Sequence, residues 1–390
     1  MNYFKLGDIC KVKGGKRIPQ GETLQDEPNA HPYIKIVDMY QGKVIEINDK
    51  FQYARQKYQD KIKNYTVLKG DVILAIVGNT LGIASIIGAS LNGANLTENC
   101  CKFVDIDESQ VLPEFLYYSL ISPLNQSVIQ KFKVGSSQPK LPIYNIERLL
   151  IPKISIMEQK RICSALALLD AQIMRNNDMV HKLQVLSHSI FNRFFAGSTE
   201  IVSLVDFPYI EILKPGILPF EGTKHYIATA EVEDEKINLD APLIEFATRE
   251  NRANMQPLPN SVWFAKMKRS LKHIYVTSQD DYLINNYIFS TGFCGIKCDD
   301  FAFEYMINYL NLPYFEKEKD ILSHGATMEG VNNEDLKSFK IHLPSRESLM
   351  QFHSKTKDIH CRIAKINEMT HQLTLIKNKL LPLLINGQLH

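Results

Sequence analysis

Residues 155–195 read SIMEQKRICSALALLDAQIMRNNDMVHKLQVLSHSIFNRFF, and this stretch decides the architecture. Ser155 followed by Glu158 is the pattern of a capping box, and neither proline nor glycine occurs again before Gly197. We therefore predict one uninterrupted helix of about 40 residues. Its apolar residues recur alternately three and four positions apart, the spacing of a coiled-coil seam, with polar residues at the remaining seam positions. The apolar seam positions are Ile162, Leu166, Leu169, Ile173, Val180, Leu183, Ile190 and Phe194.

A repeat with an offset of 190 residues relates this helix to a second one near the other end of the sequence. Identical pairs at this offset are Ala75 and Ala265, Gly135 and Gly325, Met179 and Met369, His181 and His371, Leu183 and Leu373, and Gly197 and Gly387. We predict that the second helix begins near Ser345 and ends between Pro382 and Gly387. Its apolar seam positions are Phe352, Ile359, Ile363, Ile366, Leu373, Leu380 and Leu384. Solenoid repeats are much shorter than this offset. The repeat therefore indicates a duplicated module made of one globular segment and one helix, which predicts two similar functional ends.

We expect the two helices to pair with each other, because each seam leaves an apolar stripe that needs a partner. The pair should be antiparallel, since a whole globular segment separates the end of the first helix from the start of the second. The alternative is that each helix packs on its own globular segment. The narrow period of the seams favours pairing.

The sequence predicts two globular segments, residues 1–153 and 198–343, with the helices in residues 154–197 and 344–390. Short strands and few helices predict a mixed α/β (α+β) fold for both segments. The stretches that correspond are 33–36 and 226–230, 70–75 and 259–265, and 115–120 and 305–310. The expected architecture therefore has an internal pseudo-two-fold repeat.

Composition and charge limit the kinds of partner. With 390 residues and 45% hydrophobic content, the chain is typical of a globular protein of two or three domains. Its net charge is +2, but residues 198–343 carry 22 acidic and 14 basic side chains. Because the field of that segment repels phosphate, it must use a local basic patch if it binds nucleic acid.

Cysteine usage and hydropathy indicate an intracellular protein. Seven cysteines without a signal peptide are typical of free thiols, and we expect a cytoplasmic location. Cys294 and Cys298 form a lone C-x3-C without a second ligand pair, so we expect neither a metal nor a cofactor. Residues 72–97 are uncharged over a length that could span a bilayer, but glycines and asparagines divide them, which predicts buried strands.

Two groups of residues are candidates for DNA contact. In the first segment, a glycine-hinged loop and a turn after a strand supply Lys13, Gly14, Lys16, Arg17, Asn79 and Thr80. The second segment supplies Lys266, Lys268, Arg269 and Lys272. Glycine lets the backbone approach phosphates, Lys and Arg reach phosphates or guanine, and Asn can pair with adenine. Each group taken singly is more typical of a solvated charged loop, and the recurrence in two modules favours binding.

The sequence lacks the motifs of several enzyme classes. It contains no Asn/Asp-Pro-Pro-Tyr/Phe sequence for amino methylation, no G-x-S-x-G, no H-E-x-x-H and no GxGxxG that opens a helix. Gly14-Gly15-Lys16 lacks the earlier glycine and the following Ser or Thr of a P-loop. His181 and His371 have no evident nucleophile or carboxylate partner, so we expect both on helix surfaces. These absences indicate a non-catalytic protein.

The order of several short motifs resembles the DNA-specificity subunit of type I restriction-modification enzymes, over essentially the whole chain. The motifs are Lys5-Leu6-Gly7-Asp8-Ile9, Pro32-Tyr33-Ile34-Lys35 leading to Asp38-Met39, Gly70-Asp71-Val72-Ile73-Leu74, Gly135-Ser136-Ser137-Gln138-Pro139, and Ile151-Pro152 running into Glu158-Gln159. The second half departs from this pattern. Gly325-Ala326-Thr327-Met328 replaces the Gly-Ser-Ser-Gln form, and the helix start at Pro344-Ser345 lacks the Glu-Gln pair.

The resemblance implies two target-recognition domains, each reading one half of a bipartite site in double-stranded DNA. It also implies that the helix pair fixes the gap between the halves and docks two modification (methyltransferase) subunits. Restriction subunits then join this complex, and no membrane is expected as a partner. The alternative is a coiled-coil scaffold that binds two protein partners and no DNA. A self-contained methyltransferase or nuclease is disfavoured by the absent motifs. DNA binding that weakens steeply with salt would separate the first two hypotheses.

Overall fold

The structure is a computed structural model that describes residues 2–135, 138–195, 200–233, 235–238, 241–325 and 329–388. The chain divides into two compact units: unit 1 is Met1–Ile173 with Leu373–His390, and unit 2 is Met174–Gln372. Each unit combines a globular segment with parts of both long helices, whereas the sequence suggested that the helices are separate from the globular segments. Gly197, and residues 136–137 and 326–328 of the two glycine motifs, lie outside the described residues.

Two helices of 40 residues carry the repeat. The helices are α1 (Leu6–Ile9), α2 (Gln56–Ile62), α3 (Pro113–Ile121), α4 (Pro123–Phe132), α5 (Ile143–Ile146), α6 (Ile156–Phe195), α7 (Asp281–Asn286), α8 (Phe303–Leu310), α9 (Pro313–Leu322) and α10 (Arg346–Ile385). Both ends of α10 lie 190 residues after the ends of α6. A serine hydroxyl caps each start: Ser155 Oγ accepts from Glu158 N at 3.2 Å, and Ser345 Oγ from Ser348 N at 3.1 Å. Both predicted long helices are confirmed.

The strands of unit 1 are β1 (Tyr3–Lys5), β2 (Lys11–Gly14), β3 (Tyr33–Ile34), β4 (Val44–Ile45), β5 (Val72–Ala75), β6 (Ala84–Ile87), β7 (Asn95–Leu96), β8 (Cys100–Val104) and β9 (Leu150–Pro152). Five of them form a sheet in the order β2-β8-β5-β6-β4, with β5 antiparallel to both neighbours and buried throughout. The uncharged residues 72–97 form β5, β6 and β7, as predicted. Among the described residues, no helix is long and apolar enough to cross a membrane.

The strands of unit 2 are β10 (Ile201–Ser203), β11 (Ile210–Ile212), β12 (Thr223–Ile227), β13 (Val232–Glu233), β14 (Lys236–Ile237), β15 (Leu243–Glu245), β16 (Ala253–Met255), β17 (Ser261–Ala265), β18 (His273–Val276), β19 (Tyr287–Ser290), β20 (Phe293–Cys298) and β21 (Lys340–His342). The sheet order β11-β20-β17-β18 repeats β2-β8-β5-β6, and the pair β10-β21 repeats β1-β9. The parallel pair β12-β19 repeats β3-β7, and α8 repeats α3. The mixed α/β fold and its internal repeat are thus confirmed.

The two long helices run antiparallel in both units. In unit 1, Ile162 at the start of α6 lies in one buried cluster with Leu381 and Ile385 at the end of α10. In unit 2 the opposite ends meet, because the rings of Phe191 and Phe352 lie 6.0 Å apart. The predicted antiparallel pair is confirmed.

The same helices also complete the core of each globular segment. Phe115 of α3 belongs to the cluster of unit 1 that contains Ile162, and Tyr305 of α8 packs on Phe191 in unit 2 with ring centroids 5.4 Å apart. The two arrangements that the sequence offered as alternatives therefore coexist. The seam residues named above are all buried or half-buried. A polar seam residue also finds a partner, since Asn176 Nδ2 donates to Thr370 Oγ1 at 3.0 Å.

One histidine prediction is wrong. His181 is exposed, as expected, but His371 is buried against Tyr282, with ring centroids 4.7 Å apart. The reason is that α7, which carries Tyr282, covers this part of α10.

Six of the seven thiols are buried, and Cys361 is half-buried. Burial is the main cause that raises the pKa of Cys10, Cys163 and Cys294 to about 12. Cys294 and Cys298 lie four residues apart on β20, about 13 Å at the rise of a strand, which is too far for one zinc ion. In the parts of the chain that the structure describes, no three His, Cys, Asp or Glu side chains are grouped so that they could hold a metal.

Candidate nucleic-acid interface

The loop after β2 carries the first candidate group. Lys13 is exposed and lies opposite Lys102 of β8. Burial lowers the pKa of Lys102, Asp71 opposes that shift, and the neighbouring Lys13 lowers the pKa further. Lys102 Nζ donates to Thr66 O, whereas the exposed Lys13 adds a positive charge to this edge that can attract phosphate.

Glycine is required at the next step of this loop. A Cβ on Gly15 would lie 2.0 Å from the Thr97 carbonyl oxygen, whereas a Cβ on Gly14 would meet nothing within 4 Å. Gly15 N donates to Cys100 O at 2.9 Å, and Lys16 N to Leu96 O at 2.8 Å. The backbone is therefore held against the sheet at Gly15. This contact fixes the point of the chain from which the exposed side chains of Lys16 and Arg17 project.

Arg17 lines a cleft at this edge of unit 1. Its Nε lies 2.5 Å from Glu98 Oε1, although three quarters of the Arg17 side chain is exposed. The cleft encloses about 450 Å³ and is also lined by Asn99, Lys140 and Leu141. Arginine, lysine, amide and carboxylate groups together can donate to and accept from base edges.

The turn after β5 lies beside the same cleft. Gly78 has a φ of +77°, in the left-handed region that favours glycine, and it precedes the exposed Asn79. Thr80 Oγ1 donates to Val77 O at 3.1 Å and so closes the turn. Val77 pairs with Lys140 in an isolated bridge, and Lys140 also pairs with Val134. The fold therefore brings Arg17, Asn79 and Lys140 to one edge.

The basic group of unit 2 follows β17. Its Met267 pairs with Gly330, which repeats the bridge between Val77 and Lys140 at the offset of 190 residues. Lys266, Lys268 and Arg269 therefore correspond to the turn that contains Asn79. Lys13–Arg17 follow a different strand, so the recurring basic groups of the two segments do not occupy equivalent positions.

Contacts within unit 2 engage part of this group. Lys268 Nζ contacts the Glu329 carboxylate, whose pKa is lowered by that hydrogen bond and charge. Arg269 N donates to Asp320 Oδ1 at 2.7 Å from a backbone with a φ of +57°, and its side chain is exposed. Lys272 Nζ donates to Thr229 O at 2.7 Å. The charged heads of Lys268 and Lys272 are thus engaged within unit 2, while Arg269 points a cation outward.

Sequence reasoning missed two residues at these edges. Lys214 is exposed, and its predecessor Leu213 donates from N to Gly295 O at 2.8 Å, as Gly15 does to Cys100 O. Lys214 is therefore the counterpart of Lys16. Lys140 was also missed, although it directly follows the Gln138-Pro139 part of a quoted motif. The sequence signal for Lys214 is its place directly before the turn residues Pro215-Gly216, and the signal for Lys140 is its place directly after Pro139.

Comparison with known proteins shows that part of the chain is similar to one protein family. Residues 1–180 match the family described as type I restriction modification DNA specificity domain. The chain is also 22% identical over 204 residues to the type I restriction enzyme MjaVIII specificity subunit of Methanocaldococcus jannaschii, across 51% of this chain and 46% of that protein. The chain thus spans about half the length of the curated relative that it matches.

Solved structures share the fold. The crystal structure of a type I restriction-modification S subunit from M. genitalium is similar with a TM-score of 0.54 at 12% identity, over 98% of this chain and 95% of that one. The HsdS subunit from Thermoanaerobacter tengcongensis matches with a TM-score of 0.35 at 16% identity, over 100% and 97% of the two chains. The first likeness supports the fold described above.

Proposed function

We propose that the chain is the specificity subunit of a type I restriction-modification complex, because residues 1–180 match the family of type I restriction modification DNA specificity domains. In this role it selects the DNA sequence and leaves the chemistry to other subunits. The observation that carries the proposal is the duplication, in which sheet order, bridges and long helices recur at one offset. Two similar units suit a DNA site that has two halves.

Each unit reads one half-site of double-stranded DNA with the edge described above. In unit 1, Arg17, Asn79 and Lys140 supply donors and acceptors for bases, and Lys13 and Lys16 supply charge for phosphates. In unit 2 the corresponding edge carries the basic group around Arg269, with Lys214 in the place of Lys16. Because unit 2 is acidic overall, we infer that partner subunits provide much of the phosphate contact at its half-site.

The helix pair fixes the gap between the half-sites and docks two modification subunits, which restriction subunits then join. This proposal is supported by the continuity of α6 and α10, each of which begins in one unit and ends in the other. A paired helix transmits length more rigidly than a flexible linker does.

The test is methylation by the full chain together with its modification subunit. We expect Lys16→Ala with Arg17→Ala to change the base preference at one half-site, and Lys268→Ala with Arg269→Ala to change it at the other. Each lost base contact should cost about 1–3 kcal/mol. Sequencing of methylated DNA measures both halves at once. A double variant that altered both halves would contradict separate reading units.

Two controls examine the rest of the proposal. The purified chain alone, given S-adenosylmethionine, should neither methylate nor cleave DNA. Its DNA affinity should fall steeply as salt rises, because phosphate contacts release counterions. A chain without salt-dependent DNA affinity, alone or in the complex, would instead be a protein scaffold.

A further inference from the structure

The ion pair between Arg17 and Glu98 leaves the outer end of the arginine without a protein partner. Glu98 Oε1 accepts from Arg17 Nε at 2.5 Å, and Thr97 Oγ1 donates to Glu98 Oε2 at 3.1 Å. Both oxygens of the carboxylate are therefore engaged, and the carboxylate holds the guanidinium by its inner nitrogen. The two terminal nitrogens of Arg17, Nη1 and Nη2, make no hydrogen bond to any residue that the structure describes.

The backbone that carries Arg17 is fixed as well. Lys16 N donates to Leu96 O at 2.8 Å, and the OH of the buried Tyr33 donates to Lys16 O at 2.8 Å. Arg17 is thus held through the residue before it and at Nε by Glu98, although three quarters of its side chain is exposed. A side chain held in this way loses little conformational entropy on binding, which favours a contact of one defined geometry.

We propose that Arg17 reads a guanine in the half-site of unit 1, with Nη1 and Nη2 donating to O6 and N7 in the major groove. In this proposal Glu98 is a positioning residue that sets the angle of the guanidinium. The inference rests on the proposed function and names the base that this edge reads. Guanine presents two adjacent acceptors in the major groove, which match two parallel N–H groups, whereas adenine presents one acceptor and one donor there.

Phosphate is the alternative ligand for an exposed arginine, and the charge of the ion pair disfavours it. Glu98 cancels the charge of Arg17 and would lie beside any anion that the arginine bound. Guanine O6 and N7 are neutral acceptors, so a contact with them avoids this repulsion. Lys16, whose side chain is exposed and forms no ion pair with a described residue, is better suited to phosphate.

The test uses the full chain with its modification subunit and a duplex that carries the methylated sequence, identified by sequencing methylated DNA from cells. Guanines of both half-sites are replaced one at a time by 7-deazaguanine, which lacks N7, or by hypoxanthine, which lacks only the amino group in the minor groove. At one guanine, 7-deazaguanine should weaken binding of the wild-type complex about tenfold, and hypoxanthine at the same position should have little effect.

Arg17→Lys separates base reading from phosphate contact. Lysine keeps the positive charge but cannot donate two parallel hydrogen bonds from a planar group. The variant should bind the unaltered duplex about tenfold more weakly than wild type, and 7-deazaguanine at the guanine identified above should cause no further loss. A variant close to wild type in affinity and equally sensitive to 7-deazaguanine would show that Arg17 contacts phosphate, which would overturn the inference.

Glu98 is tested by rescue with a similar side chain. Glu98→Ala leaves the guanidinium able to turn, so the affinities for the guanine and 7-deazaguanine duplexes should approach each other. Glu98→Gln keeps an oxygen that can accept from Arg17 Nε, and it should restore the discrimination although the charge is lost. Glu22→Ala is the matched control: the Glu22 carboxylate pairs with Lys57 at 28% exposure against 29% for Glu98, but it does not line the cleft. Equal discrimination in Glu98→Ala and Glu22→Ala would refute the positioning role.

Failure of this inference and failure of the proposed function give different results. A wild-type complex that methylates no bipartite sequence contradicts the proposed function. A complex that methylates such a sequence, but with no guanine at which Arg17→Lys abolishes the effect of 7-deazaguanine, contradicts this inference alone.

Discussion

Lys377 Nζ lies 2.6 Å from Asp170 Oδ1 in the helix pair of unit 1, and less than a fifth of either side chain is exposed. Tyr118 OH donates to the other oxygen of Asp170 at 2.7 Å. An ion pair with this degree of burial holds one register of the two helices, because a slip would leave a charge without its partner.

At the equivalent positions of unit 2, the repeat has three uncharged side chains. These are Asn308, His360 and Ser187, where Ser187 Oγ lies 2.8 Å from His360 Nε2 and accepts from Asn308 Nδ2 at 3.1 Å. The position of the polar contact is thus kept in both units while its chemistry differs. The two ends of the helix pair should respond differently to mutation and to pH.

Removing the lysine should destabilise unit 1. Lys377→Met leaves the Asp170 carboxylate largely buried without its cation, which should lower the free energy of unfolding by about 3 kcal/mol. Urea denaturation followed by circular dichroism measures the loss. Lys379→Met, at an exposed position of the same helix, is the control and should change little. A similar loss in both variants would show that the ion pair has no special role.

Acid should weaken unit 2 through His360. Burial lowers the pKa of His360 to about 4, whereas an unfolded histidine titrates near 6.5. Between these values the unfolded chain takes up a proton that the folded chain refuses, so stability falls as pH decreases through this window, by up to about 1.4 kcal/mol per pH unit.

The measurement is the thermal midpoint of wild type and His360→Gln as the pH is lowered. Glutamine can keep a hydrogen bond to Ser187 but does not titrate, so the stability of wild type should fall relative to that of the variant. Neither Ser187 nor Asn308 titrates in this range, and the difference isolates His360. Parallel curves for the two proteins would rule out this histidine as the source.

The long helices were predictable because their signals are local. The serine caps and the seam period lie within each stretch, and α6 contains no proline or glycine. The helix α10 continues past Pro382 and ends at Ile385, inside the predicted range. Gln159 shows the limit of such signals. It was noted only as part of a motif, but its amide donates to Gln110 O at 2.7 Å and it is fully buried, while the apolar Leu349 takes its place in unit 2.

The candidate site was predictable in part. Glycines and lysines marked the loop of Lys16 and the turn of Asn79, because strand ends and turns have local sequence signals. The correspondence of Lys214 with Lys16 depends on the pairing of β11 with β20, which joins residues far apart in sequence. Likewise, the contact of Lys268 with Glu329 depends on the pairing of Met267 with Gly330, which also joins residues far apart in sequence.

Gly15→Ala should damage recognition by unit 1. Its Cβ would collide with the Thr97 carbonyl oxygen, so the loop must move and carry Lys16 and Arg17 with it. We expect reduced discrimination at one half-site with the other unchanged, measured by sequencing methylated DNA. Gly14→Ala is a matched control, since its Cβ has open space. A normal Gly15→Ala protein would mean that the position of this loop is unimportant.

Glu98 should restrain Arg17 on DNA of the wrong sequence. In Glu98→Gln the guanidinium loses its ionic partner and one acid disappears from the edge, so affinity for nonspecific DNA should rise. The slope of log K against log salt should steepen by about one. Fluorescence anisotropy across a salt series gives both. Asp105→Asn, which breaks the exposed pair with Lys11, is the comparison and should have a smaller effect.

The helix pair should set the gap between the half-sites. An insertion must keep both seams in phase and must add facing residues to both helices. The contact of Asn176 with Thr370 defines which positions face each other, and one heptad after Asp178 with another after Glu368 satisfies both conditions. These two positions are also related by the repeat, so the pseudo-two-fold arrangement is kept.

Seven residues lengthen a helix by about 10 Å, which corresponds to about three base pairs at the rise of DNA. The methylated sequence in cells that carry the double insertion should therefore show a gap longer by about three base pairs, with both half-sites unchanged. A single insertion of four residues in α6 alone should abolish methylation, because it rotates one seam away from its partner. If the double insertion kept full activity with an unchanged gap, the units would be positioned on DNA by something other than these helices.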